Sequence, residues 1–518
     1  MKSLIFILPL FVFPFLQQAQ IGEINWGTAY KKKTASGKGY FSKSYFGASK
    51  TYYYFLVKEN IKKRRLFKFN YNNEIVEEIE LDFKHNGKLI QYYEMISTIS
   101  GDFVLGTYYD KKKKMSHYYT YQLGNGSPEK MKLFCSIPYQ NNGSLRDSED
   151  ETDYAGIDIS SDSSLVLFSN VKMITEFKQK KEEAYTFVVL DSELNLKWEL
   201  ETTIPFIDKK ILITDINISN QGVISVLGKI DLKKAKDKIT ASQFEYYLFR
   251  ISKDGSQSKV RVKPNEGYIN DPKLLTLKDG TEFIFGGYHK REKKPITQHG
   301  FFLNKYNEKG EEIFTNVYPW TDEIYNHIEE NKHFTKLGTF YTEDFHIDNN
   351  TLTFFTQRKI DYHDSDRSSS NSHLRKYQTS TIIIPSFNFD GEMKWMTLIK
   401  KQMIDKEFKS LITLHRNENH YLMFNMDNRG NTFSKGKSAG LFDGVSEKYV
   451  TKLISINSKG EIGKEQIIFE KDEGVFESPK DYLWFQGAQK LDNNRILLEK
   501  RIVGIGKKDY THGLLKLN

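Results

Sequence analysis

Seven times between Leu66 and Ile468 the chain repeats one pattern: a strand of alternating apolar residues, a tight polar turn, and a second strand. The copies read LFKFNYNNEIVEEIEL from Leu66, YTYQLGNGSPEKMKLF from Tyr119, FVVLDSELNLKWEL from Phe187 and LFRISKDGSQSKVRV from Leu248. They continue with FLNKYNEKGEEIFTNV from Phe302, IPSFNFDGEMKWMTLI from Ile384 and LISINSKGEIGKEQII from Leu453. Most turns carry Asn, Asp or Gly, which accept the positive φ of short hairpin turns. Two further strand-like runs precede each hairpin, such as ILITDINI and GVISVLGK ahead of Leu248 and SLITLH and HYLMFNM ahead of Leu453. A four-stranded sheet of this kind cannot bury both of its faces alone, so the units must stack on one another to make a core.

An eighth copy is split between the two ends. LLKLN at Leu514–Asn518 matches LFKFN at Leu66–Asn70, and its missing second strand resembles GEINW at Gly22–Trp26, which matches GEMKW at Gly391–Trp395. A ring of sheets whose last sheet is one strand short exposes an edge that invites aggregation, and a strand from the other terminus removes it. The spacing from Leu66 to Leu514 is 64 residues per unit, longer than WD-type or kelch repeats. The chain resembles β-propellers as an architecture. The expectation is an all-β fold: an eight-bladed β-propeller, with seven blades as the alternative count, built of four-stranded antiparallel blades and closed by its own two ends. No Trp-Asp repeat, kelch Gly-Gly pair or Asp-box accompanies the blades, so no motif family supplies a function. The Lys, Asn, Ile, Phe and Tyr bias resembles exported propeller proteins of the Bacteroidota.

The first residues read as a signal peptide: Lys2 supplies a positive start, and Leu4–Leu16 is an apolar run interrupted by Pro9 and Pro14. Cleavage is expected after Ala19, leaving residues 20–518 as a single propeller domain; an uncleaved anchor is the other reading. No later run approaches ~20 apolar residues, so the mature chain is expected to be water-soluble and not integral to a membrane. Cys135, the single cysteine, sits in KLFCSIP and reads as a core residue. Pro319–Phe334, PWTDEIYNHIEENKHF, breaks the strand rhythm. Ile324, His327 and Ile328 would share a helical face capped by Thr321, giving a short helical insertion at about 321–334 over one mouth of the ring, or an irregular loop.

The formal net charge is +9. Once Lys2 is set aside, the eight connections between the second and third strands of each unit carry +19 and the remainder −11. In a propeller these connections lie on one face. The candidate partner-binding residues there are Lys62, Lys63, Arg64, Arg65, Lys111, Lys112, Lys113, Lys114, Lys233, Lys234, Arg291, Lys293 and Lys294. A basic face steers acidic partners; lysine at hairpin tips also keeps them soluble and blunts edges. Acidic connections, such as RDSEDETD at Arg146–Asp153, share the same face.

Patterns that carry chemistry are weak. Gly430–Ser438 has one residue too many for a phosphate loop and lies between strands, without the helix start that cradles phosphate. Asp361, His363, Asp364 and Asp366 form the most metal-like stretch, but with no second His pair to fix a geometry. The acidic run Asp147–Asp162 lacks the glycine turn and closing glutamate of a calcium loop. Asp158, Asp215, Asp271 and Asp344 fall on inner strands, where a funnel glycosidase would hold its carboxylates; Asp271, before Pro272, reads more simply as a turn residue. No cofactor, metal or catalytic residue is expected.

The reading that follows is a non-catalytic periplasmic binding or scaffold protein. Its loop-rich face would dock onto an envelope or outer-membrane protein complex, an outer-membrane barrel among the candidates. The chain starts and finishes inside the closing blade, with no sorting module after it, which favours the periplasm over the extracellular space. Acidic glycans or lipopolysaccharide are alternative ligands, and nucleic acid is not expected. The competing reading is a glycan-active hydrolase or lyase, or a lectin-like glycan binder.

Overall fold

In the computed structural model the chain forms eight four-stranded antiparallel blades arranged as a propeller. The structure describes residues 20–27, 30–31, 42–58, 64–81, 84–85, 87–110, 112–113, 115–123, 131–138, 156–174, 182–204, 211–231, 244–264, 267–290, 298–330, 339–348, 350–362, 376–405, 411–427, 449–470, 480–483, 488–504 and 507–518. Blade 1 spans 42–80, blade 2 91–138, blade 3 156–203, blade 4 211–262, blade 5 268–319, blade 6 339–405 and blade 7 411–470. Blade 8 joins 480–517 to the strand Gly22–Trp26. In blades 1 to 7 the strands lie side by side in chain order. The first strand of each is the one that approaches the first strand of a neighbour, and so lies innermost.

The ring closes as the matching termini require. Gly22–Trp26 pairs antiparallel with Lys507–Leu517, from Gly22 opposite Leu517 to Trp26 opposite Gly513. Gln466, on the outer strand of blade 7, clamps the added strand: its Oε1 accepts from the Ile21 and Gly22 amides at 2.8 and 3.1 Å, and its Nε2 donates to the Gly22 carbonyl at 3.1 Å. Gly513 is needed beneath the Trp26 ring, because a Cβ there would sit 2.5 Å from it.

The hairpin turns explain the recurring sequence. In Asn307–Glu311 the Asn307 Oδ1 accepts from the amides of Lys309 and Glu311, both at 2.9 Å, and its Nδ2 donates to Glu311 Oε2 at 2.7 Å. Gly310 closes the turn at φ 81°. Asn457–Glu461 repeats every one of these contacts, with Gly460 at φ 82°. This is a type I turn followed by a left-handed residue, the three-residue hairpin loop whose bulge matches strand twist.

Packing between blades supplies the core. Apolar clusters fill all eight seams, including the closing one, where Tyr53, Phe55 and Phe69 of blade 1 meet Leu497 of blade 8. At the seam of blades 5 and 6, Phe285 stacks on Phe354 with centroids 3.9 Å apart. Each such ring contributes about 1.5–3 kcal/mol by leaving water. Cys135 lies in the seam of blades 2 and 3, and burial pushes its thiol well above the usual range.

The helix runs Asp322–Glu330, with the Thr321 hydroxyl accepting the Ile324 amide at 3.5 Å. Ile324 and Ile328 pack with Trp320 and Phe340 into the blade 5–6 core. His327 meets Thr381 at 3.1 Å. The described helix therefore caps one seam; the expected span over a mouth reaches to 334, and 331–334 lie outside the described residues. No helix among the described residues is long and apolar enough to cross a membrane.

Candidate functional site

The inner strands bring together the acids that the sequence singles out. Asp158 Oδ2 accepts the backbone amide of Ile218 in the next blade at 2.7 Å. Asp215 Oδ2 accepts that of Leu274 at 3.1 Å, and Asp271 accepts that of Thr342. Asp344 Oδ2 is met by the Thr413 hydroxyl of blade 7 and, at 2.8 Å, by Lys490 Nζ of blade 8. From blade 3 to blade 7 each inner strand is thus tied to the next by a carboxylate.

Local irregularity aims these side chains. The inner-strand pairing slips by an extra residue at Thr214, just before Asp215, and at Glu343, just before Asp344. In blade 5 the break contains Asp271 and Pro272 themselves, with Asp271 at φ 45°. A bulge bends the strand and re-aims the residue beside it, and Asp is among the few side chains that accept the left-handed region. Gly286 opposite makes room: a Cβ there would come within 2.9 Å of the Asn270 carbonyl oxygen.

Burial dominates the electrostatics. It pushes the Asp158 carboxyl up to about 6, against the pull of the Ile218 and Ile159 amides and with the help of Asp215. Asp215, Asp271 and Glu343 are likewise raised by burial. Lysines oppose this: Lys273 acts on Asp215 and Asp271, Lys229 on Asp271, and Lys359 on both Asp271 and Glu343. Lys359 Nζ lies 2.7 Å from Glu343 Oε1, and burial in turn lowers the lysine. The result is a line of neighbouring acids with lysines set between them, each acid bound by an amide, a hydroxyl or an ammonium group.

Glu343, Lys359 and Lys401, whose charge also acts on Glu343, belong to this belt and are not among the residues singled out from sequence. A lysine in a strand reads as a solvated edge, and the bulge that turns Glu343 inward has no residue signature of its own.

A second cluster lies where the belt ends. His346 on the inner strand of blade 6 stacks on His415 of blade 7, with centroids 3.7 Å apart and planes 12° apart. His415 Nδ1 lies 2.9 Å from His420 Nδ1 across a two-residue turn, Asn417–Glu418, in which both residues have positive φ. Burial lowers all three imidazoles, His420 to about 4. The stacked rings do not converge their nitrogens on one point, and no group of three or more His, Cys, Asp or Glu among the described residues is arranged to hold a metal ion. Of the metal-like stretch, Asp361 lies in a strand of blade 6, while His363, Asp364 and Asp366 fall outside the described residues. The same holds for Gly430–Ser438.

Four of the thirteen basic loop residues are described. Lys112 and Lys113 form an exposed tip between strands of blade 2, their amides held by Asp110 Oδ1 at 2.9 and 3.2 Å. Those amides keep the Asp110 carboxyl below its ordinary value. Arg65 pairs across its own blade with Glu78 at 3.2 Å and Glu80 at 3.7 Å, and Arg64 donates to the Ile90 carbonyl at 3.4 Å. Lys62, Lys63, Lys111, Lys114, Lys233, Lys234, Arg291, Lys293 and Lys294 lie outside the described residues.

No family model matches the sequence, and no curated protein matches it. Solved structures similar to it include the β-propeller domain of the Trilobed protease from Pyrococcus furiosus, 13% identical, with a TM-score of 0.36 over 83% of this chain and 98% of that one. The WD40 domain of SCAP from fission yeast is 8% identical, with a TM-score of 0.36 over 96% and 98% of the two chains. The polysaccharide lyase Uly1 is 9% identical, with a TM-score of 0.33 over 97% and 94%.

Proposed function

We propose that this chain is a non-catalytic binding protein of the cell envelope, exported to the periplasm, that docks through its loop-rich basic face onto an envelope or outer-membrane protein complex. One observation carries the reading: inner-strand carboxylates, the acids best placed for funnel chemistry, are bound by amides, a hydroxyl and a lysine of other blades. A rigid disc whose inner-strand acids are engaged in its own seams leaves recognition to its faces. Lys112 and Lys113 support this, since their exposed tip is held in shape by Asp110 while the ammonium groups remain exposed. Charges of this kind govern association rate and salt dependence.

The alternative, a glycan-active hydrolase or lyase, draws on the raised carboxyls of Asp158, Asp271 and Glu343. Raised carboxyls are a mark of general acids, and equally of buried acids in a seam. Affinity purification from native membranes decides between the readings. The docking account predicts recovery of an envelope partner, reduced at least tenfold by Lys112→Glu with Lys113→Glu. Recovery of the monomer alone, together with turnover of an acidic polysaccharide abolished by Asp271→Asn, would contradict it.

A further inference from the structure

His346, His415 and His420 come from two blades and meet at the inner end of one seam. His415 and His420 are 5% and 6% exposed. Between their Nδ1 atoms one ring must donate and the other accept. A proton added to the acceptor leaves two donors facing each other at 2.9 Å. His415 Nε2 is buried with no hydrogen-bond partner among the described residues, so a charge on that ring would find nothing to solvate it.

The charged groups facing the trio are few. Asp344 and Asp348 come from the strand that carries His346, and Lys490 from blade 8. Blade 6 also presents Phe355 and Trp395, neither of which ionises. Asp344 already receives Lys490 and Thr413. Asp348, and more weakly Asp344, favour charge on His346, the ring of the three with partial solvent access, while Lys490 opposes it. Once charged, His346 lies face to face with His415 at 3.7 Å. A second imidazolium in that stack meets like charge at a distance where low dielectric magnifies repulsion.

We propose that the His346–His415–His420 cluster is an acid-operated latch: proton uptake by these rings parts the inner edge of blade 6 from that of blade 7 while the other seams hold. The sign follows from linkage. A histidine held neutral in the fold contributes fully above its unfolded value near 6.5. For His420 that contribution is lost as pH falls from there towards about 4. The latch is independent of what the loop face binds.

Amide exchange on the full chain at pH 7.5 and pH 5.0, corrected for intrinsic rates, tests it. Protection across 411–427 is expected to fall at least tenfold more than across 211–231. An equal change in both regions would overturn the proposal. In the His415→Phe, His420→Phe double variant, which keeps ring packing without titration, the excess loss is expected to vanish; its persistence in a folded variant would also overturn the proposal. Should that variant not fold, imidazole C2-hydrogen exchange on the unmodified chain serves instead. His415 and His420 are expected to titrate well below 6.5, and ordinary midpoints for both would overturn the latch.

Discussion

The seams between blades 3 and 6 and the seam between blades 6 and 7 solve the same problem with opposite chemistry. The first set stitches inner strands with buried carboxylates aimed at backbone amides of the next blade. The second adds three packed imidazoles, two stacked face to face and the third edge-on to both. Burial disfavours the charged form in both, which raises the acids and lowers the histidines. Acidification therefore relieves the carboxylate arc and loads the histidine seam. One polar belt holds two arcs that answer a change of pH in opposite directions.

Breaking a stitch outright has the largest expected effect on this contrast. Asp215→Ala strands the Leu274 amide at a cost of about 1–3 kcal/mol, the usual penalty for a buried donor left without an acceptor. Denaturant unfolding should show that loss at pH 7.5. An unchanged midpoint would mean that the stitch contributes nothing.

A smaller effect sharpens the comparison. Asp158→Asn keeps an acceptor for Ile218 but removes the ionisation. With the Asp158 carboxyl raised to about 6, its burden is absent below its unfolded value near 3.9 and grows as pH rises through 6. The variant should gain roughly 1–2 kcal/mol over the parent at pH 7.5, and lose that advantage by pH 4. Measured stability curves that stay parallel across this range would remove the linkage.

Much of the fold was legible because hairpin turns write their geometry into residue identity. Asn at the first position, Gly three later and Glu four later mark Asn307–Glu311, Asn388–Glu392 and Asn457–Glu461, and each of these residues makes a turn contact. The split eighth blade was legible for the same reason: GEINW repeats GEMKW down to the tryptophan that packs on a glycine, Gly513 under Trp26 and Gly460 under Trp395. The belt was half legible. Asp158, Asp215, Asp271 and Asp344 could be placed on inner strands, but their direction depends on bulges at Thr214 and Glu343 that leave no compositional trace. The histidine seam does carry a sequence signal: HRNENH at His415–His420 sets two histidines directly opposite each other across a two-residue turn. His346 could not be joined to them from sequence, because stacking of blades brings it there and not local geometry.

All of this depends on a closed ring, and closure can be tested at one pair of residues. Glu23 lies opposite Lys516 in the strand pairing that completes blade 8. Zero-length carbodiimide cross-linking of dilute, monomeric protein, read by peptide mass spectrometry, should join Glu23 to Lys516 within one chain. Failure to form that link, while the control pair Lys452–Glu465 cross-links normally, would contradict the eight-bladed ring.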